Sequence, residues 1–361
     1  MASSKPDSLR RDSDLRLIHA LQLEPRASWT ELGRALATDP VGLARRWARI
    51  TDEGLAWITG QRRYFPAVAI VEIECAQGKA AETASLLADE EIVRTIDHTS
   101  GGRDLVAVVA AADLESLSAF VIDRLGDQRL ITHARTHLVT EVLVEGSDWR
   151  LNALSESEAR RVPRAKAPRP RAARQVPADL EAVIVRELYR DGRTPTGDIA
   201  AQAGVSNQRV ADAIATLRHS GDLVLRTDVA RSYTGWPINA WYFVQVPASS
   251  IDRLRSTLSR LAEVRLAVTT ASRYNLVMTL WIRDLADVNR FEALLEKVLA
   301  GARIADRAVV IRPAVHLGRL LDARGFVTGL SSLHDDPAPP RTRDRAVNAE
   351  EAGQVVTDVG S

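Results

Sequence analysis

The chain has 361 residues, 45% hydrophobic and 26% charged, with a formal net charge of +1. These values describe a globular chain long enough for about two to four small domains, and they exclude a nucleic-acid footprint resting on total charge, so any such surface must come from local clustering. A single cysteine, Cys75, excludes an internal disulfide framework and a multi-cysteine zinc site. No run approaches a bilayer span and no apolar segment near the start resembles a signal peptide, so the reading is a cytoplasmic protein with no membrane partner, no cofactor and no metal.

In chain order, residues 1–11 are polar and expected to be disordered. Residues 14–23 carry Leu17, Ile18 and Leu21 at helical spacing, and residues 29–37 form a second short helix around Leu32 and Leu36. A third helix opens with Asp39 as N-cap and Pro40 at its first position, where a missing N–H does no harm, and it ends at Gly54 before a wing at 55–58. Its buried stripe is Leu43, Trp47 and Ile50. That leaves Pro40, Val41, Gly42, Arg45, Arg46 and Arg49 on the surface that can meet DNA, through phosphate contacts and a bidentate guanine contact. The plainer reading of the three arginines is a solvated charged face.

After Pro66 the periodicity changes. Strand 68–75, helix 79–88, strands 92–98 and 105–111, helix 114–125 and a long strand 131–144 follow in the order β-α-β-β-α-β, that of a ferredoxin-like sheet with two helices on one face. Between the second and third strands lies Ser100-Gly101-Gly102-Arg103-Asp104. Its glycines free the backbone to turn and present N–H groups to an anion, while Asp104 can accept from an ammonium. The alternative is a plain hairpin turn. Residues 150–177 are rich in Ala, Pro and Arg and read as a semi-rigid tether, basic enough to lie along phosphates.

The second half repeats the plan. Helices at 180–189, 196–203 and 206–220 precede strands and helices at 240–246, 251–261, 264–270, 276–282, 285–299 and 304–317, and a polar tail from 331 is expected to be disordered. Residues 204–225 repeat residues 37–58 with a shift of 167 positions: Gly221 answers Gly54, Leu217 answers Ile50, Ile214 answers Trp47 and Val210 answers Leu43. In this copy Ser206 is the N-cap, and Asn207, Gln208 and Arg209 face away from the apolar stripe. A period this long, present twice, indicates a duplicated domain pair.

The order of parts, with DPVGLARRWARITDEGLA and SNQRVADAIATLRHSGDL as recognition-helix segments, resembles the Lrp/AsnC (feast/famine) family of transcriptional regulators in a tandem form. The resemblance covers about residues 12–320. It implies an α+β chain with two winged helix-turn-helix domains at 12–62 and 178–236, and two ferredoxin-like βαββαβ response domains at 66–148 and 238–325, with a linker at 149–177 and a tail at 331–361. Implied partners are double-stranded DNA, a small-molecule effector such as an amino acid, and the chain itself through its response domains. The family's response loop is matched by Ser100, Gly101, Gly102, Arg103 and Asp104, the implied effector site, whereas Ala271-Ser272-Arg273-Tyr274-Asn275 in the second half lacks the glycine and the aspartate. The paired arginines Arg45 and Arg46 become Asp212 and Ala213, and an acid there repels phosphate. The reading is therefore a non-enzymatic, DNA-binding regulator. Siroheme decarboxylases look like this architecture and supply the enzymatic alternative, and a degenerate scaffold is the third.

Overall fold

The computed structural model describes residues 5–63 and 65–331, so of the tail expected over residues 331–361 only Ser331, which is buried, is described, and the rest lies outside the described residues. The first half contains α1 (Lys5–Leu23), α2 (Trp29–Leu36), α3 (Pro40–Asp52), β1 (Ala56–Arg62), β2 (Ala67–Cys75), α4 (Ala80–Ala88), β3 (Val93–Thr99), β4 (Leu105–Ala111), α5 (Leu114–Ala119, prolonged by a wider turn over Phe120–Arg124) and β5 (Ile131–Val144). Then come α6 (Glu156–Arg161), α7 (Ala178–Arg190), α8 (Thr196–Ala203), α9 (Asn207–His219), β6 (Leu223–Val229) and α10 (Arg231–Thr234). The chain continues through β7 (Ile238–Gln245), α11 (Ile251–Leu258), β8 (Val264–Ala271), β9 (Leu276–Ile282), α12 (Asp287–Val298), β10 (Arg303–His316), β11 (Arg319–Leu321) and β12 (Val327–Leu330). The helix at the start begins at Lys5, inside the stretch whose polarity suggested disorder.

The helical units follow from their stripes and caps. Leu17, Ile18 and Leu21 of α1, Leu32 and Leu36 of α2, and Leu43, Trp47 and Ile50 of α3 share one core. In the second unit Leu180, Ile184 and Leu188 of α7 pack with Ile199 of α8 and Val210, Ile214 and Leu217 of α9. Each such side chain contributes roughly 1.5–3 kcal/mol by leaving water. Ser28 and Glu31 form a capping box at α2, Asp39 accepts from the Gly42 amide at 2.6 Å to start α3, and Ser206 accepts from the Arg209 amide at 3.2 Å to start α9.

The strands that follow α3 and α9 pack on their own helical units, with Ala56 and Ile58 in the first core and Leu223 in the second, and also reach past the short wing read at 55–58. There β1 pairs antiparallel with β6 from Ala56↔Val229 to Arg62↔Leu223, centred on Thr59↔Arg226. Ala56 and Leu223, which start the two strands, Arg62 and Val229, which end them, and the centrally paired Thr59 and Arg226 are each 167 positions apart, so the ribbon is self-complementary in the manner of a two-fold interface. The same reciprocity recurs where the units meet. Arg26 donates to the carbonyls of Gly192 and Thr194 at 2.8 and 2.9 Å, and Arg193, its counterpart 167 positions on, donates to those of Pro25 and Ala27 at 2.6 and 3.0 Å. Burial, helped by the nearby Arg26 charge, lowers the Arg193 guanidinium to about 10, and its face lies 4.0 Å from the Trp29 ring.

The remaining strands do not form two separate sheets. Each half orders its four strands with the last beside the first, then the third, then the second: β5-β2-β4-β3 and β10-β7-β9-β8. Both last strands run for 14 residues because each changes partner midway. Residues 131–138 of β5 pair with β2 and 138–144 with β8, while residues 303–309 of β10 pair with β7 and 310–316 with β3. Eight strands thereby close into a barrel, which removes the sheet edges that two isolated four-stranded sheets would expose. Helices α4 and α5 cover one outer face, α11 and α12 the other, and Trp241, Phe243, Tyr274 and Val277 fill the interior. The hairpin β11–β12, which has no counterpart in the sequence reading, extends the sheet from β10.

Within the stretch read as a tether, residues 151–162 pack against the first helical unit. Leu154 and Val162 enter its core, the Leu151 amide donates to Gln22 Oε1 at 2.9 Å, and the Leu154 amide donates to His19 Nδ1 at 2.9 Å.

Candidate nucleic-acid interface

On α3, Val41 is 72% exposed beside Pro40 and Gly42, and Arg45 points outward with no hydrogen bond or ion pair to another described residue. Arg46 and Arg49 are placed differently. Arg49 donates to the fully buried carboxylate of Asp14 at 2.5 Å and to Glu53 at 2.8 Å, and Arg46 lies 3.8 Å from the same Asp14. Tyr233 also donates to Asp14, at 2.6 Å. Partial burial opposes the charge on Arg49, but the hydrogen bonds and charges of Asp14 and Glu53 outweigh it and raise its pKa. Of the three arginines, Arg45 is thus the one without a partner among the described residues, while Arg46 keeps a longer contact to Asp14.

On α9, Ser206, Asn207, Gln208 and Arg209 are all exposed at the amino end. Ser206 is spent on the cap, and Gln208 Nε2 donates to Asp212 Oδ1 at 3.2 Å. Asp212 also accepts two bonds from Arg169, from Nε at 2.8 Å and Nη2 at 2.6 Å. The acid that sequence reasoning set against phosphate is therefore already paired, by an arginine from the linker that spacing gave no means of locating.

The loop at residues 100–104 is bound into the barrel. The Ser100 amide donates to the Val309 carbonyl at 2.8 Å, and Ser100 Oγ accepts from the Val309 amide at 3.0 Å. Gly101 takes φ +95°, and both glycines are exposed. Arg103 turns inward, 6% exposed, where its guanidinium meets Glu72 and Asp306 and lies over the Phe243 ring at 4.6 Å. Asp104 Oδ2 accepts from the Cys75 amide at 2.7 Å. In the other half Asn275 Oδ1 accepts from the Val246 amide at 2.8 Å, so the asparagine does the same work at the matching strand end. Loss of the aspartate between the halves leaves that contact in place.

Glu72 of β2 and His137 of β5 belong to none of the sites read from the sequence. The two form a buried set: His137 Nε2 lies 2.7 Å from Glu72 Oε1 and its Nδ1 lies 2.9 Å from Ser272 Oγ, with Phe243 and Tyr274 against the ring. A glutamate in the apolar run VAIVEIEC was the available signal, because a charge buried there needs partners. Nearby, Trp241 Nε1 donates to Asp97 at 3.0 Å, and burial pushes that carboxyl up. Among the described residues, no group of histidine, cysteine and carboxylate side chains is arranged to hold a metal ion, and no helix is long and apolar enough to cross a membrane.

Residues 68–149 match the Lrp/AsnC ligand binding domain family. The HTH-type transcriptional regulator Ptr1 of Methanocaldococcus jannaschii is 26% identical over 139 residues, which are 37% of this chain and 94% of that protein. The HTH-type transcriptional regulator FL11 of Pyrococcus furiosus is 25% identical over 114 residues, 31% of this chain and 76% of that protein. Among solved structures, the siroheme decarboxylase NirDL superposes with a TM-score of 0.54 over 85% of this chain and 93% of its own, at 12% identity, which is a likeness of fold. Residues 68–149 thus match the Lrp/AsnC ligand binding domain, and the chain is similar in sequence to HTH-type regulators that it exceeds in length.

Proposed function

We propose that the protein is a DNA-binding transcriptional regulator of the Lrp/AsnC type in tandem-duplicated form, with two winged helix-turn-helix units and two ferredoxin-like response units in one chain. Each unit would then meet its counterpart across a pseudo-two-fold axis, and the second association is intramolecular. The observation that carries the reading is α3: a capped helix whose apolar stripe is buried and whose outer face offers Val41 and the unpaired Arg45. The chain's similarity in sequence to Ptr1 and FL11 supports the reading. Double-stranded DNA is the partner, contacted by Pro40, Val41, Gly42, Arg45 and Arg46, with Ser206, Asn207, Gln208 and Arg209 on the second unit. Arg49 belongs to the packing of the first unit.

A small metabolite such as an amino acid is the proposed effector, taken up at the turn of residues 100–104. Gly101 and Gly102 present the exposed backbone there, because Ser100, Arg103 and Asp104 already bond to neighbouring strands. Fluorescence anisotropy against DNA from upstream of its own gene and a scrambled duplex, with salt varied, tests the reading. Preference for the native fragment, weakening with salt, supports it; equal weak binding to both counts against it.

The second reading is a siroheme-decarboxylase-like enzyme, favoured by the buried Glu72–His137–Arg103 set in a barrel of the same fold as NirDL. Absorbance titration with an iron tetrapyrrole decides it, since saturable binding lost in His137→Ala would move the account to the enzyme.

A further inference from the structure

Between α6 and α7 the chain crosses the second helical unit along α9. Arg169 holds Asp212 by two hydrogen bonds, and four residues on the Ala173 carbonyl accepts from Thr216 Oγ1 at 3.3 Å. Asp212 and Thr216 are also four apart, so the linker runs parallel to the helix for one turn, in register with its outward stripe. The Ala172 amide donates to the Arg169 carbonyl at 2.9 Å, giving the segment a turn of its own. Gln208, at the start of the same stripe, is drawn to the same carboxylate.

Among the described residues, no segment lies along the outer face of α3 in this way. The position of Asp212 is taken there by Arg45, which has the opposite charge and points out with no partner among the described residues. A basic segment is matched in charge to the stripe of α9 and repelled by that of α3. One linker therefore fits one of the two helices.

We propose that residues 163–174 are a strap that closes the outer face of α9, so that the second unit reaches DNA after Arg169 releases Asp212. This rests on the DNA-binding reading above. The latch is a solvent-accessible ion pair, half-buried on the Asp212 side, and is open to screening by salt and to competing charge, as a gate requires. Released, the strap uncovers the turn of α9 that carries Asp212 and Thr216 and frees Arg169 and its basic neighbours.

The test uses the full chain with Arg169→Gln, measured in two ways. Hydrogen exchange at residues 163–174 without DNA reads the strap itself. Anisotropy with a labelled mixed-sequence duplex of about 40 base pairs, room for two half-sites, reads access to DNA. The strap predicts faster exchange at the Ala172 amide together with tighter DNA binding, by about two- to fivefold, although a positive charge has been removed. A linker arginine that contacts phosphate predicts the reverse, so weaker binding overturns the proposal, as does unchanged affinity or unchanged exchange. If exchange rises while neither protein binds the duplex at low salt, the linker docks but gates nothing, and the DNA-binding reading falls with the gate. If the parent chain binds and the variant matches it, the gate alone is overturned.

Discussion

Arg45 and Arg49 lie one turn apart on α3, and their surroundings give them different work. Arg49 serves the fully buried Asp14, so Arg49→Ala leaves a buried carboxylate with Tyr233 and a distant Arg46 and is expected to cost about 1–3 kcal/mol in denaturant unfolding. Arg45→Ala, at an exposed position with no partner among the described residues, should stay within about 0.5 kcal/mol of the parent. The helix stripe and the N-cap were legible in the sequence because both depend on neighbours a few positions away. The division between the arginines was not, because it is made by Asp14 and by Tyr233, far off in the chain.

His19 supplies a pH test at the same scale. Burial, with the Arg150 charge second, lowers it to about 4, and its Nδ1 accepts the Leu154 amide. The folded value lies below the unfolded one of 6.5, so the unfolded chain takes up the proton first. The contribution is complete above pH 6.5 and is lost as pH falls towards 4, an order-of-magnitude loss of about 3 kcal/mol. Urea unfolding at stepped pH should show that decline, and His19→Asn, which keeps an acceptor without titrating, should flatten it.

Among the elements, the two helix-ending glycines separate local from long-range demands. Gly54 and Gly221 have φ of +66° and +77°, so alanine at either takes on the left-handed penalty of about 1–2 kcal/mol. At Gly54 a Cβ would also stand 2.4 Å from the Val327 carbonyl oxygen, where β12 docks by a bond from the Val327 amide to the Gly54 carbonyl, while at Gly221 nothing lies within 4 Å. Gly54→Ala should therefore lower the melting temperature clearly more than Gly221→Ala, and equal shifts would mean that the β11–β12 hairpin does not hold the first unit in solution. The sequence marked both helix ends through these glycines. It could not place the hairpin against one of them, nor pair β1 with β6, since both contacts join stretches with no local signal for each other.

At the scale of the molecule, the 167-position shift visible in the sequence reappears as geometry in the ribbon centred on Thr59 and Arg226 and in the exchange of bonds between Arg26 and Arg193. These contacts set the distance between the helical units, so α3 and α9 are carried on a joined body and not on free tethers. The barrel adds a second join, because β5 and β10 each cross from one half to the other. The length of those strands was readable, but the change of partner midway was not, since both sets of partners accept the same alternation. What breaks the symmetry is side-chain charge: Arg45 faces outward on one unit, while Asp212 lies beneath the linker on the other.

The central claim, that this molecule binds DNA through α3, is tested most directly by the salt dependence of duplex binding for the parent chain and Arg45→Ala. The account predicts saturable binding whose logarithm falls linearly with the logarithm of salt, and for Arg45→Ala weaker binding with a slope shallower by about 1. No salt-dependent binding by the parent chain, or the same slope and affinity in both proteins, would contradict it.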